Sequence, residues 1–544
     1  MKKALAFVLC LCMSLSMFVG CGSSEAGTTP TPGSATDSQV QEPDNTDPVY
    51  GGTLRYATNQ TCATPGYTPK CSANSAIVFM SPAYETLAEF DESANIVPKL
   101  ALRWETAPEE PSITWYLREG VQFSDGVAFN AEAVKRNIEE YQSCSRSETS
   151  NIVECIVIDE FTVKMVLGHW DTSAIESIGT FIYFMSPEAL DEYDVDTLSA
   201  STTSYGTGPF VISSFEPNVQ ITYERNENYW QEGLPYLDGV EIVYIGEAST
   251  LSAAFQSKDV DLIYSGNHDG SMDLMRVMAP QIESGDVVVE TNTSGQLLVM
   301  NGLIPNSADP DSPWADARVR RALCYAIDRE AIKVACYNGE QETTNQWAYP
   351  GSVAYNENLN GFTYNPEKAK ELLAEAGYAD GFTTTLSGLQ SSANVLTACA
   401  SMLEAVGITG EVNVIDTATF NSYMLNGNWD GLMIHSASVG SDLGLYMGRH
   451  LSLNGSFYTK GIDHPQEAMD LLNAISQAKT DEEKAKLQDE MQNLMYDADE
   501  GLALFGTPIT MLKMRTFKHG YVMGENAMMR TPYSLDYATC WLNK

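Results

Sequence analysis

From Tyr50 onward, short stretches with strand periodicity alternate with longer stretches carrying apolar residues at helical spacing, and this alternation constrains the fold most. Thr53-Leu54-Arg55-Tyr56-Ala57, entered through Gly51-Gly52, reads as an opening strand, and Ile113 to Leu117 as another. Phe123-Ser124-Asp125-Gly126 follows as a turn. Asn130 suits a helix N-cap, with Val134, Ile138 and Tyr141 on one face of the helix it starts. Val153 to Ile158 and Thr162 to Leu167 flank Asp159-Glu160 as a hairpin. Asn365-Pro366 begins a further helix, with Ala369, Leu372, Leu373 and Ala376 on one side and Gly377 at its end. Thr480 and Glu483 make a capping-box pattern ahead of Leu487, Met491, Leu494 and Met495. No repeat of solenoid period is present, and 544 residues have room for about three domains. The expectation is α/β with several sheets.

The first 49 residues do not share this pattern. Lys2 and Lys3 precede an apolar run, Ala4 to Gly20, broken by Ser14 and Ser16. The run is short of the ~20 apolar residues of a membrane span and has the anatomy of a signal peptide, residues 1–20. Phe18-Val19-Gly20-Cys21 resembles a bacterial lipobox, in which cleavage leaves an N-terminal cysteine acylated through its sulfur. Phe18 stands where Leu is usual, so an ordinary signal peptide before an incidental cysteine is the alternative. Residues 21–49 are rich in Ser, Thr, Pro, Gly and acids, without apolar periodicity, and read as a lipidated flexible linker.

Charge and missing motifs narrow the function. Against 31 Lys and Arg stand 72 Asp and Glu, a formal charge of −41, and two of the lysines lie in the leader. Such a surface repels phosphate backbones and anionic headgroups, so nucleic acid and polybasic membrane docking are excluded as partners. Gly206 and Gly208 have no Gly-Lys-Ser/Thr after them, which excludes a P-loop. No GxSxG is present, and with 72 acids a chance pair of carboxylates carries no weight. No catalytic residue, cofactor or resident metal site is therefore expected. The six histidines (His169, His268, His435, His450, His464, His519) form no HExxH or HxH pattern. Eight cysteines follow Cys21. Cys62 with Cys71, and Cys144 with Cys155, are close enough to close short loops; buried free thiols are the alternative.

Four stretches carry a family likeness. They are Ile113 to Gly126 leading into Asn130 to Val134; Gly206-Thr207-Gly208-Pro209-Phe210 with Glu224 to Trp230; Asp316 to Leu323 continuing to Arg329; and Tyr364 to Tyr378. In this order they resemble the family-5 extracellular solute-binding proteins, the peptide- and nickel-binding class that serves ABC importers. The resemblance implies an α/β, two-lobed periplasmic-binding-protein-like fold (type II, cluster C) with an additional subdomain on the first lobe. Lobe I is then expected at 50–80, 190–295 and 505–544, the subdomain at 81–189 and lobe II at 296–504. It also implies a monomer, lipid-anchored outside the cytoplasm (periplasmic where there is an outer membrane). Such a protein captures a small solute or peptide by hinge closure and hands it to an ABC permease and its ATPase. A secreted hydrolase and a ligand-presenting sensor remain the rival readings. Most motif residues are expected to be scaffold; Arg318, Arg320 and Arg321 read as a solvated helix face with acidic partners.

By the same resemblance, ligand contacts come from segments facing the cleft: Asn59 and Gln60, Asn292 and Ser294, Gln346 and Trp347, and the stretch from Trp429 through His435 and Ser436 to Asp442. Trp347 and Trp429 would stack on ligand or pack in the core, and His435 would meet a metal chelate or line the cavity as a polar residue. Peptide-binding members commonly carry Gly-Trp-x-x-Asp here, the carboxylate pairing with the peptide's ammonium. Counting from Asp430, His435 and Ser436 take the Gly-Trp positions and Val439 the aspartate position. Either Asp442 or another acid substitutes, or the ligand lacks a free amino terminus. An oligopeptide is the leading ligand; a sugar, metal chelate or amphipathic metabolite is the alternative.

Overall fold

The computed structural model describes residues 47–544, apart from 72–73, 92–94, 201, 266–273, 292–297, 439–442, 454, 456, 514, 525–528 and 532–533. The expected signal peptide, Cys21 and most of the linker lie outside the described residues, as do Asn292, Ser294, Val439 and Asp442.

The opening strand, Thr53–Thr58, lies inside a seven-stranded sheet, parallel to Gly239–Tyr244 on one side and Leu262–Ser265 on the other. Its Leu54, Tyr56 and Ala57 are fully buried, which needs cover on both faces. Gln220–Arg225 and Phe210–Glu216 extend one edge, and Arg515–His519 and Val287–Thr291 the other. This is lobe I. Lobe II is built on a six-stranded sheet in the order Glu342–Thr343, Thr507–Lys513, Leu298–Pro305, Leu432–Ser438, Phe382–Gly388, Ile408–Val414. The subdomain is a four-stranded antiparallel sheet, in which the expected hairpin pairs Ile152–Asp159 with Thr162–Leu167. Separate apolar cores, around Tyr56 in lobe I, Trp115 in the subdomain and Trp314 in lobe II, bear out the α/β reading with several sheets.

The helix signals work as local chemistry requires. Asn130 Oδ1 accepts from Ala133 N–H at 3.0 Å, and Ala131–Ser143 buries Val134, Ile138 and Tyr141. Asn365 Oδ1 accepts from Lys368 N–H at the head of Pro366–Glu375. Thr480 Oγ1 accepts from Glu483 N–H at 3.1 Å, while the Glu483 carboxylate takes Lys479 N–H at 2.9 Å. Each satisfies donors that a helix start leaves open.

Two strand connections join the lobes. The chain leaves the first sheet at Thr291 and enters the second at Leu298, then returns between Lys513 and Arg515. Val287–Thr291 pairs with Arg515–His519, and Leu298–Pro305 with Thr507–Lys513, so the strands flanking the two connections run antiparallel in each sheet. Thr507–Lys513 hydrogen-bonds with Leu298–Pro305 in the six-stranded sheet, and the chain rejoins the seven-stranded sheet at Arg515.

The arginine cluster also needs correction. Arg318 does pair with Asp316 at 2.6 Å, half-exposed. Arg320 is buried, its guanidinium donating to the carbonyls of Leu502, Trp314 and Ala315. Arg321 donates to the Asp499 carbonyl. Charge alone suggests a solvated face, but Arg320 lies about 200° around the helix from Arg318 and is buried, where it satisfies carbonyls with a fixed charge. Arg329 does the same, donating to Pro508 O at 2.8 Å and Thr507 Oγ1 at 2.7 Å.

Candidate functional site

In open α/β sheets ligands bind beyond the carboxyl ends of the strands. Asn59 and Gln60 stand there, half-buried, just past the opening strand and its two parallel neighbours. Gln60 N–H donates to Thr58 Oγ1 at 3.1 Å, and its side-chain amide donates to Asn59 Oδ1 at 3.2 Å. At the crossings Arg515, from the lobe I strand, reaches Glu340 of lobe II at 2.6 Å. Glu340 follows Asn338 and Gly339, both with positive φ (53° and 80°), a turn that brings its carboxylate back toward the crossing.

In lobe II, Ser436 is exposed on Leu432–Ser438, the strand beside the crossing strand Leu298–Pro305. Its neighbour His435 is buried. His435 Nδ1 lies 2.9 Å from Tyr458 Oη and Nε2 3.0 Å from Tyr446 Oη. A neutral imidazole donates once and accepts once, so one tyrosine donates to it and the other accepts. Burial, then the His450 charge, holds His435 well below the ordinary histidine range. His450 donates from Nδ1 to Tyr446 O at 2.7 Å, and burial pushes its pKa down to about 4.

Trp347 lies 5.3 Å from His435 and 5.8 Å from Tyr446, ring centre to ring centre, and its Nε1–H donates to Phe505 O at 3.2 Å. Trp429 meets Tyr458 at 5.9 Å, edge-on. The structure thus brings Trp347, Trp429 and His435 into one buried aromatic cluster, Trp347 through His435 and Tyr446 and Trp429 through Tyr458. Gln346 closes a ring of two bonds with the Asn356 backbone, at 3.0 and 3.1 Å. These four occupy the interior of lobe II, whereas Asn59, Gln60 and Ser436 reach solvent.

Residues that sequence reasoning took for anonymous scaffold meet at Glu85. This buried carboxylate accepts from Thr207 Oγ1 at 2.9 Å, Tyr229 Oη at 2.9 Å and Trp230 Nε1 at 2.8 Å, with Lys99 Nζ at 3.6 Å. Burial raises its pKa against the pull of Lys99 and the three donors. The Gly206-Thr207-Gly208 and Tyr229-Trp230 motifs are therefore two arms of one junction. A Cβ on Gly206 would sit 2.0 Å from Ala83 O, and one on Gly208 2.5 Å from Ala83 C, so only glycine lets the chain cross residue 83. Lys99, Tyr183, Tyr229 and Asp536 line a cavity of about 80 Å³ beside Glu85.

The subdomain, though inserted in lobe I, also touches lobe II. Trp170 Nε1–H donates to Ala478 O and Thr172 N–H to Ser476 O, both at 2.9 Å. Lys479 pairs with Glu109 at 2.6 Å, and the Arg449 guanidinium lies 5.7 Å from the Phe181 ring centre. No segment flagged Trp170 or Thr172 in advance, because their partners lie about 300 residues away.

Among the described residues no helix is long and apolar enough to cross a membrane, and no group of three or more His, Cys, Asp or Glu is placed to hold a metal.

Residues 95–456 match the family model "Bacterial extracellular solute-binding proteins, family 5 Middle". The chain is 28% identical over 342 residues to the glutathione-binding protein GsiB of Salmonella typhi, covering 61% of this chain and 64% of that protein. It is 31% identical over 336 residues to heme-binding protein A of Haemophilus influenzae, covering 55% and 57%. The chain thus spans less than two thirds of the length of these relatives. The fold matches the oligopeptide-binding protein AppA of Bacillus subtilis, solved with a nonapeptide, at a TM-score of 0.74 and 19% identity, over 92% of this chain and all of that one. The two-lobed periplasmic-binding-protein fold with its extra subdomain is thereby established.

Proposed function

This chain belongs to the family 5 bacterial extracellular solute-binding proteins, and from that membership we propose that it is the substrate-binding lipoprotein of an ABC importer. It holds an oligopeptide between its lobes and delivers it to a membrane permease and ATPase. It works outside the cytoplasm as a monomer held by lipid on Cys21, and it breaks no covalent bond. The observation that supports the reading is two separately packed cores whose sheets are joined by antiparallel flanking strands, the arrangement a hinge closure needs. Ligand touching both lobes favours the closed form by its differential affinity for that form. The proposed lobe I spans 50–80, 190–295 and 514–544, the subdomain 81–189 and lobe II 296–513.

Asn59, Gln60 and Ser436, with Asn292, Ser294 and Asp442, are the proposed ligand contacts. Gln346, Trp347, Trp429 and His435 act behind them, holding the lobe II wall rigid. The nonapeptide of the Bacillus relative supports a peptide ligand. The glutathione- and heme-binding relatives, and Val439 at the position of the usual ammonium partner, support the second reading, a solute without a free amino terminus.

Mass spectrometry of solute released from the denatured protein, with thermal shifts against a peptide library, tests the assignment. Bound ligand raises the melting temperature by mass action. A library that leaves the melt unchanged while a sugar, chelate or heme shifts it refutes the peptide reading. Val439→Asp should improve capture of peptides with free amino termini; an unchanged affinity means the register is wrong.

A further inference from the structure

We propose that Cys62 and Cys71 are a modification site, oxidised to an intramolecular disulfide that closes the loop between the opening strand and the helix beginning at Asn74. Their Sγ atoms lie 3.5 Å apart. A disulfide needs about 2.05 Å, so closing the remaining ~1.5 Å is within the reach of side-chain rotation.

The loop holds Cys71 in place independently of any bond to Cys62. Cys71 N–H donates to Thr68 O at 3.0 Å and Tyr67 N–H to Thr64 O at 3.1 Å, forming a tight turn. Cys71 Sγ–H donates to Thr64 O at 2.9 Å, and Thr68 Oγ1 bonds Tyr183 O at 2.8 Å, pinning the turn to the subdomain. The other short-loop candidate is arranged differently: Cys144 Sγ lies 3.4 Å from the Tyr67 hydroxyl, and Cys155 sits on the strand Ile152–Asp159. Spacing alone left both pairs open, and geometry selects the first.

The oxidant is a disulfide donor of the glutathione class, met outside the cytoplasm or in a refolding buffer. One cysteine thiolate attacks the donor disulfide and expels a thiolate, leaving a mixed disulfide. The second cysteine thiolate then displaces the other donor half. Two S–H bonds are lost, one S–S bond forms, and the donor's S–S bond becomes two thiols that take up the two protons. Both sulfurs are buried in the fold, so the reaction belongs to the folding chain. The resulting ring starts two residues past Gln60 and braces the end of the opening strand.

The test is refolding of the full chain in oxidised and reduced glutathione, followed by alkylation and tryptic mapping without reductant. Trypsin cuts after Arg55, Lys70 and Lys99, so the bond appears as one species joining 56–70 to 71–99. The expected result is that species, separating on reduction, with each partner gaining 1 Da. Alkylated Cys62 and Cys71, or either one joined to another cysteine, overturns the proposal. Melting supplies a second readout. Reductant should lower the melting temperature of the oxidised chain and leave a Cys62→Ser/Cys71→Ser variant unmoved; equal sensitivity of both also overturns it.

Discussion

If lobe closure is real, the contact between subdomain and lobe II should open and shut without unfolding either, and Trp170 is where that can be measured. Trp170→Phe keeps an aromatic ring but removes the 2.9 Å bond from Nε1–H to Ala478 O. A neutral hydrogen bond is worth about 1 kcal/mol net. That corresponds to ~5-fold in an equilibrium constant. Lys479→Glu, facing Glu109, adds only a few tenths of a kcal/mol by the usual scale of exposed pairs, since both side chains are half or more exposed. The readout is hydrogen exchange at Thr172 N–H, which bonds Ser476 O across the same contact and exchanges only when it opens. The expected outcome is ~5-fold faster exchange at Thr172 in Trp170→Phe. Amides of the hairpin Ile152–Asp159/Thr162–Leu167 should keep their protection. Unchanged exchange at Thr172 would show that the contact does not limit opening. Equal loss of protection in the hairpin would mean that the substitution loosened the subdomain itself.

Further outcomes follow from the buried polar groups. Glu85→Ala strands three donors while Lys99 keeps Glu89 at 3.3 Å, and should cost about 3 kcal/mol in urea unfolding, at about 1 kcal/mol per lost bond. Glu85→Gln, which still accepts, should cost less; equal losses would deny the hydrogen-bond role. His450, held at about 4 in the fold against about 6.5 unfolded, binds its proton more readily in the unfolded chain. Stability should therefore fall as pH drops from 6.5 toward 4, by about 3 kcal/mol from this group. Glu85, raised by burial, acts in the opposite direction, so the shallower slope expected of His450→Gln isolates the histidine. Gly208→Ala should prevent docking of residues 206–210 on residue 83 and abolish soluble expression, whereas Gly126→Ala, with nothing within 4 Å of its Cβ, should retain a folded protein despite its φ of +87°.

What the sequence determined by itself was local. Caps at Asn130, Asn365 and Thr480 and the turn at Gly126 form as written, because their donors and acceptors lie within four residues of each other, and the expected hairpin forms with its turn one residue later, at Glu160-Phe161. The ordered motifs were enough to identify the family and its fold. Only tertiary structure decided which polar side chains face solvent. Arg320, Trp347 and His435 carry the same local signals as surface or site residues, but carbonyls and hydroxyls from distant segments satisfy them inside lobe II. The same holds for Glu85, whose partners come from residues 99, 207, 229 and 230, and for Trp170, which meets residue 478. Burial of a polar group depends on a partner being present, and spacing along a chain does not reveal which partners tertiary packing will bring to it.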